Sequence, residues 1–268
     1  MNTLGIVVLS CLLMGIVVGW LAGLLGIGGG LIIVPVLSFL LMKYFNLSLS
    51  TAMPMAVATS LSTIVFTGFV SAKAHFKLGN LDKQILLSCG IGVAIGAVAG
   101  AQFVSRVSGE LLTVIIAVFA FAIALNMLFG RMIVKQQTPN KILLVVVGMA
   151  TGMMSAAMGI GGGAILVSAL CWCGVALRTS IGVSSACGLI IALFGTLSFL
   201  LFDSAVNEDV VYAYGYLFIP AVVSISLTSV LVAPLGAKYG QNMNTDKLKR
   251  VFAFFLLLVS AKMISGVL

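Results

Sequence analysis

Gly26-Ile27-Gly28-Gly29-Gly30 and Gly159-Ile160-Gly161-Gly162-Gly163 are one pentapeptide written twice in the same chain. Both copies lie deep inside long apolar runs with no charged residue beside them. Glycine adopts backbone conformations that other residues avoid and lets chains approach closely. In a soluble protein such a cluster would sit in a loop over water. Here no polar segment is at hand to hold it. Irregular backbone at membrane depth is tolerated only where it is buried in protein or lines a cavity. Two corresponding glycine-interrupted apolar segments, one in each half of a chain, point to the substrate site of a transporter.

Composition agrees with a membrane setting. The chain is 62% hydrophobic and 7% charged, with a mean hydropathy of +1.28. Ordinary soluble domains carry about 25% charged residues, and 268 residues cannot enclose that much apolar surface, so lipid has to solvate much of it. The net charge of +8 does not indicate nucleic acid, because the basic residues stand in short loops between apolar runs, where they set topology. The first 25 residues carry no basic n-region and no clear cleavage site, and read as a retained first helix. The five cysteines are odd in number and all lie in apolar runs, which is not a disulfide framework. Cys171-Trp172-Cys173 has no histidine or further cysteine at ligand spacing, so no metal site and no cofactor is read from it.

Apolar segments fall at 4–42, 52–72, 84–105 and 111–130, then at 142–177, 181–202, 211–235 and 250–268, with a polar break at 131–141. Aligning the glycine clusters also aligns Gly15 with Gly148 and Gly19 with Gly152, which indicates an internal duplication. The halves divide at 1–135 and 136–268. A continuous helix over 4–42 would run ~58 Å, against a hydrocarbon core of ~30 Å. The glycines break it near its middle into two arms, either short spans or a re-entrant hairpin, so both ends of the segment lie on one side. On that reading Lys73, Lys77, Lys83, Arg131, Lys135, Lys141, Arg178, Lys238, Lys247, Lys249 and Arg250 face the cytoplasm. Only Lys43, Arg106 and Lys262, with Asp203, Glu208 and Asp209, face outward. If the first segments crossed once instead, Arg178 and the 236–250 cluster would move outside and the bias would vanish. The expected fold is therefore all-α: a polytopic membrane protein of two inverted-topology repeats, about eight to ten transmembrane segments, with both termini outside. Gly15, Gly19 and Gly23, like Gly92, Gly96 and Gly100, make small-residue ridges for close helix packing, within the chain or in a homodimer.

No carboxylate falls inside an apolar run; Asp82, Glu110, Asp203, Glu208, Asp209 and Asp246 all stand in loops or at their edges. That argues against a cation exchanger and against an enzyme needing a general base. An anion is easier to hold, because exposed N–H groups and helix N-termini attract negative charge without a formal cation. The candidate substrate-binding residues are Gly28, Gly29, Gly30, Gly161, Gly162 and Gly163, with hydroxyls from Thr59-Ser60 and Ser184-Ser185. Hydroxyls in a membrane helix also bond back to their own helix. Arg178 can attract an anion at the inner mouth or simply anchor the topology. His75, the single histidine, stands at a membrane edge as a candidate gating or proton-carrying residue.

These residues resemble the TauE/SafE family of sulfite exporters. The resemblance is carried by the paired Gly-x-Gly-Gly-Gly segments, Ala58-Thr59-Ser60-Leu61 and Ala74-His75-Phe76-Lys77-Leu78-Gly79-Asn80. It continues in Ala233-Pro234-Leu235-Gly236-Ala237 and Leu248-Lys249-Arg250-Val251-Phe252, and so covers nearly the whole chain. It implies a multi-pass protein of the bacterial inner membrane that exports sulfite, organosulfonates or related small anions. One position departs: Gly182-Val183-Ser184 stands where the family usually has Gly-Thr-Ser, and the missing hydroxyl bears on which anion is carried. The expected function is secondary export of a small anion by alternating access. An anion channel and a non-catalytic subunit of a larger complex are the alternatives.

Overall fold

The computed structural model describes residues 3–25, 29–129, 139–202 and 210–240, with Arg250 and scattered positions to 263. Its elements in order are α1 (Thr3–Leu25), α2 (Gly30–Phe45), α3 (Leu49–Lys77), α4 (Lys83–Val104), α5 (Gly109–Phe129), α6 (Lys141–Ala157), α7 (Gly163–Trp172) and α8 (Leu177–Phe202). A two-strand hairpin, β1 (Ala213–Tyr214) and β2 (Leu217–Phe218), leads into α9 (Ile219–Gly240). Among the described residues, α1, α3, α4, α5, α8 and α9 are long and apolar enough to cross a membrane. The protein is a polytopic, all-α membrane protein. Large apolar side chains such as Leu13, Leu87, Ile95, Ile142 and Leu231 are exposed on its outside, as a lipid-facing surface requires.

Both long first segments break where the glycines stand. α1 ends at Leu25 and α2 begins at Gly30; α6 ends at Ala157 and α7 begins at Gly163. Gly29 and Gly162 occupy the N-cap positions of α2 and α7 with φ of 75° and 74°, the left-handed region where an L side chain is strained. With 10 residues, α7 is only about 15 Å long and cannot cross alone. Elsewhere polar caps set the ends. Asp82 accepts from the N–H groups of Gln84 and Ile85 at the start of α4, and Asn140 from that of Ile142 at the start of α6.

Glycine contacts fix the directions of the helices. Gly15, Gly19 and Gly23 of α1 face Ile225, Ser229 and Ala233 of α9, so these two helices run parallel. Gly92, Gly96 and Gly100 of α4 face Val145, Met149 and Met153 of α6, which run parallel in turn. The two contacts are made in the same way. Gly148 and Gly152, 133 residues after Gly15 and Gly19, meet Cys89 and Val93, 136 residues before the Ile225 and Ser229 that Gly15 and Gly19 meet. Gly100 meets Met153 as Gly236 meets Trp20. Both glycine ridges are thus used inside the chain, where a Cβ at Gly19 would come within 2.6 Å of the Ser229 backbone.

α8 runs against α3, with Gly182 beside Asn80 and Gly195 beside Leu61. Phe45, closing α2, packs edge-on against Phe218 at 5.1 Å, at the end of the bundle where α9 begins. Both ends of the α1–α2 pair therefore lie at that end. Cys171 near the end of α7 touches Ser180 near the start of α8 at 3.5 Å, so the α6–α7 pair opens at the opposite end. That opposite end also gathers Lys73, Lys77, Lys83, Lys141, Arg178 and Lys238 from five helix termini, and is called the basic end below. Lys43, Arg106 and Glu110 stand at the other. Arg131, Lys135, Lys247, Lys249 and Lys262, with Asp203, Glu208, Asp209 and Asp246, lie outside the described residues, as does most of the segment expected at 250–268.

One expected boundary is corrected. The apolar run from 211 does not begin as helix. Tyr212 and Gly215 take φ of 69° and 55°, and the chain folds into the hairpin before Pro220 enters the first turn of α9. The hairpin is held because the Phe218 N–H donates to Thr59 Oγ1 at 3.0 Å.

The glycine ridges yield a stability test. Gly19→Ala forces α1 off α9 and is expected to cost ~1–3 kcal/mol, the usual cost of overpacking, read as a melting temperature lowered by several degrees in detergent. Gly5→Ala is the control, since no atom lies within 4 Å of its Cβ position. Equal melting of both variants would mean that α1 and α9 are not in backbone contact.

Candidate functional site

The second glycine turn is built by its carbonyls as much as by its φ angles. Gly159 takes φ 67° and Gly162 φ 74°, and the Ile160 N–H donates back to Ser155 O at 2.8 Å to close the end of α6. Ser60 Oγ donates to Gly159 O at 2.7 Å. Ser184 Oγ donates to Gly163 O at 3.3 Å and reaches Gly162 O at 3.5 Å. Two of the expected substrate hydroxyls thus hold the turn's carbonyl oxygens. Thr59, the third, is also engaged: it accepts from Phe218 N and approaches Tyr216 O at 3.5 Å.

The two glycine turns meet directly. A Cβ on Gly30 would overlap Gly159 O, so only glycine allows the first turn to lie on the second. Gly29 packs against Val18, and Gly188 of α8 against Gly161. Gly28 lies outside the described residues, together with Gly26 and Ile27. Gly30, Thr59, Ser60, Gly161, Gly162, Gly163, Ser184 and Ser185 are therefore brought into one buried region. Arg178 is not among them: it is exposed at the basic end, at the start of α8.

Beside the second turn is a small cavity, lined by Ala22, Ile64, Gly68, Ser71, Gly161, Ser185 and Gly188. It holds about one water molecule, by the measure that a water needs roughly 10–15 Å³ for its centre. Ser71 and Ser185 face each other across it at 2.8 Å, and Ser71 also approaches Ala22 O at 3.4 Å. The N-terminus of α7 opens beside it, and the first turn of a helix leaves its N–H groups without intrahelical acceptors. Ser155, fully buried, holds its Oγ 3.8 Å from the Cβ position of Gly162 and has no hydrogen-bond partner.

Ser71 and Ser155 were not singled out from the sequence. Ser71 had a signal: Thr59, Thr63, Thr67, Ser71 and His75 recur every fourth residue, and all are buried on α3. The stripe is tied off along its length, with Thr67 Oγ1 and Ser229 Oγ at 2.7 Å before the Ser71–Ser185 pair. At its end His75 is 5% exposed, with both ring nitrogens unpartnered. The Gly23 backbone lies beside the ring without meeting hydrogen-bond geometry. Ser155 had no comparable signal, since its position depends on where α6 ends. All five cysteines are free thiols, and among the described residues no three of His, Cys, Asp and Glu gather as metal ligands would.

Comparison with known proteins places this geometry in a family. Residues 11–263 match the family described as Sulfite exporter TauE/SafE. A probable membrane transporter protein of Haemophilus influenzae is 36% identical over 260 residues, covering 96% of this chain and 97% of that protein. One of Methanocaldococcus jannaschii is 25% identical over 248 residues, 91% of each chain. A third, of Bacillus subtilis, is 26% identical over 203 residues, covering 73% and 78%. No solved structure matches. A chain that matches the profile over nearly its whole length, and carries both glycine turns in a multi-pass helical bundle, belongs to the TauE/SafE family of membrane transporters.

Proposed function

We propose that this transporter exports a small anion of the sulfite or organosulfonate type, with the substrate held where the glycine turns meet the cavity between α1, α3 and α8. One observation carries the choice of an anion. The carbonyl oxygens of Gly159, Gly162 and Gly163, which would ligate a cation, already accept from Ser60 and Ser184. What remains is donor-rich: the hydroxyls of Ser71 and Ser185 line the cavity, and the unpartnered Ser155 hydroxyl and the opening N–H groups of α7 stand at the adjoining Gly161–Gly163 turn. A helix N-terminus favours negative charge by its dipole and by its orphan N–H groups. Among the described spans the one carboxylate is Glu110, in the first turn of α5 at the end opposite the basic end, and none stands among the helices that line the cavity.

The repeated contacts of α1 with α9 and of α4 with α6 support a chain of two inverted repeats, divided near 135. The first helix of each repeat packs on a later helix of the other, α1 on α9 and α6 on α4. Rocking of one repeat against the other would open the cavity first to the basic end and then to the opposite end. The cavity's size supports a carrier caught closed rather than a continuous pore. In a cell inner membrane the basic end faces the cytoplasm by the positive-inside rule. A potential of ~100 mV, negative inside, then expels a monovalent anion with ~2.3 kcal/mol.

The test is counterflow in proteoliposomes loaded with sulfite and exposed to sulfite, sulfoacetate, sulfate or a neutral solute. Accelerated exchange of one or more anions is expected, with none for the neutral solute; absence of anion exchange by folded protein would sink the reading. Two serine variants separate scaffold from site. Ser185→Ala, which removes a cavity hydroxyl, is expected to raise the KM of exchange several-fold at nearly unchanged melting temperature. Ser60→Ala leaves the Gly159 carbonyl buried and unpaired, which costs about 1–3 kcal/mol, so its first effect is a lowered melting temperature. The reverse pattern would exchange the roles assigned to these two serines.

A further inference from the structure

Among the described residues, His75 is the one buried side chain able to carry positive charge, and neither ring nitrogen meets hydrogen-bond geometry with a partner. A neutral imidazole carries one N–H donor and one lone-pair acceptor, and a protonated one carries two donors. Leaving a buried polar group unpaired costs roughly 1–3 kcal/mol. Such a group in a native structure calls for an explanation, and a ligand or ion is among the few available. The ring stands one helical turn from Ser71 on α3 and beside Gly23 of α1. Ser71 and Ala22 are the residues through which these same two helices line the cavity. The histidine thus occupies the next turn of the same walls, between the cavity and the basic end.

The surrounding charges make the case sharper. On α3 itself Lys73 and Lys77 are exposed and directed to the surface. α9 brings Lys238 and Tyr239 near its end, both exposed, and α8 brings the exposed Arg178 at its start. α1 brings no charged group. The described residues of α1, α3, α8 and α9 include no carboxylate at all. Among the described residues of these four helices, a proton taken up by His75 therefore meets no counter-ion, and the nearest described carboxylate at the basic end is the exposed Asp82, which caps α4. An anion entering from the basic end would neutralise it.

We propose that protonated His75 is the cationic half of an oxyanion-binding site at the basic-end mouth of the cavity, completed by the hydroxyls of Ser71 and Ser185. This rests on the anion-transport reading and adds to it a regulated entrance. The proton comes from the water at the basic end and returns there when the anion moves on, so no proton crosses the membrane. Anion and proton then favour each other's binding by the same factor, as linkage requires. Loading from the basic end strengthens as pH there falls and weakens as it rises.

The experiment exploits the fact that the chain has a single histidine. Protein with 15N-labelled histidine, purified without a histidine tag and placed in lipid nanodiscs, gives one imidazole signal. Sulfate and methanesulfonate are the probes, because neither changes charge between pH 6 and 8. At pH 7.5 either anion is expected to convert the ring signal from the neutral toward the protonated form. In liposomes, exchange should weaken about tenfold as the basic-end pH rises from 6 to 8, within the usual span of coupling factors. His75→Arg should keep exchange and lose that pH dependence, while His75→Gln should lose exchange at pH 6. If exchange proceeds while the ring signal ignores both anions, the proposal falls and the transport reading stands. A ring response without exchange keeps the site and removes the transport reading. Neither response nor exchange overturns both.

Discussion

Every peptide group inside a bilayer has to find its hydrogen bonds within the protein, and this fold is arranged around the two places where helical geometry fails to supply them. At each glycine cluster the chain leaves one helix, turns through left-handed glycines and enters another. The turn orphans carbonyl oxygens on one side and N–H groups on the other. The bundle treats the two kinds of orphan differently. Carbonyls of the second turn are met by Ser60 from α3 and Ser184 from α8. The N–H groups at the start of α7 follow a turn whose Gly161 lines a cavity. On the proposed reading, that asymmetry gives a site donor character without any lysine or arginine being carried into the membrane interior, where a charged side chain is costly.

The same constraint explains why glycine recurs where it does. A left-handed φ excludes ordinary side chains at Gly29, Gly159 and Gly162. At Gly30 the reason is different: the backbone of the second turn fills the space a Cβ would need. The ridges on α1 and α4 serve a third purpose, letting those helices lie against the backbones of α9 and α6. Without a hydrophobic drive between helices in lipid, such close packing is a main source of cohesion. The turns are thus clamped between two tightly packed helix pairs, each joining the first half of the chain to the second.

What could be read from the sequence follows from what leaves a periodic or compositional trace. The helix breaks at both clusters and the gathering of basic residues at one end were legible, because glycine spacing and charge position are one-dimensional signals. The hairpin at Ala213–Phe218 was not, because its residues are as apolar as those of a span. Only a tertiary bond, from Phe218 N to Thr59 Oγ1, decides against helix there. At the site, residue identity was legible and role was not. Ser60 and Ser184 were visible as hydroxyls near the middle of membrane helices, but whether each faces a ligand or a carbonyl depends on where the glycine turns come to rest. Ser71 escaped notice because it stands about three turns from Ser60 in the same helix and meets Ser185 of α8 only across the cavity.

That division of labour among hydroxyls bears on the anion reading proposed above. Serines that tie down the turn's carbonyls are committed to the scaffold, and changing them alters the fold before it alters selectivity. Serines across the cavity are committed chiefly to each other: the Ser71–Ser185 bond of 2.8 Å joins two side chains, and Ser71 has only a longer approach to a backbone group, Ala22 O at 3.4 Å. A substrate oxygen can replace either partner at little net cost, because one hydrogen bond is exchanged for another. Val183 sits between the two classes, next to the scaffold serine at 184 and two residues from the cavity serine at 185. It is fully buried and brings no hydroxyl, so the donor set beside α7 rests on its neighbours. On the proposed reading, selectivity is a matter of how many of the cavity-side positions carry a donor, while the glycine turns and the serines that hold them keep that donor field in place.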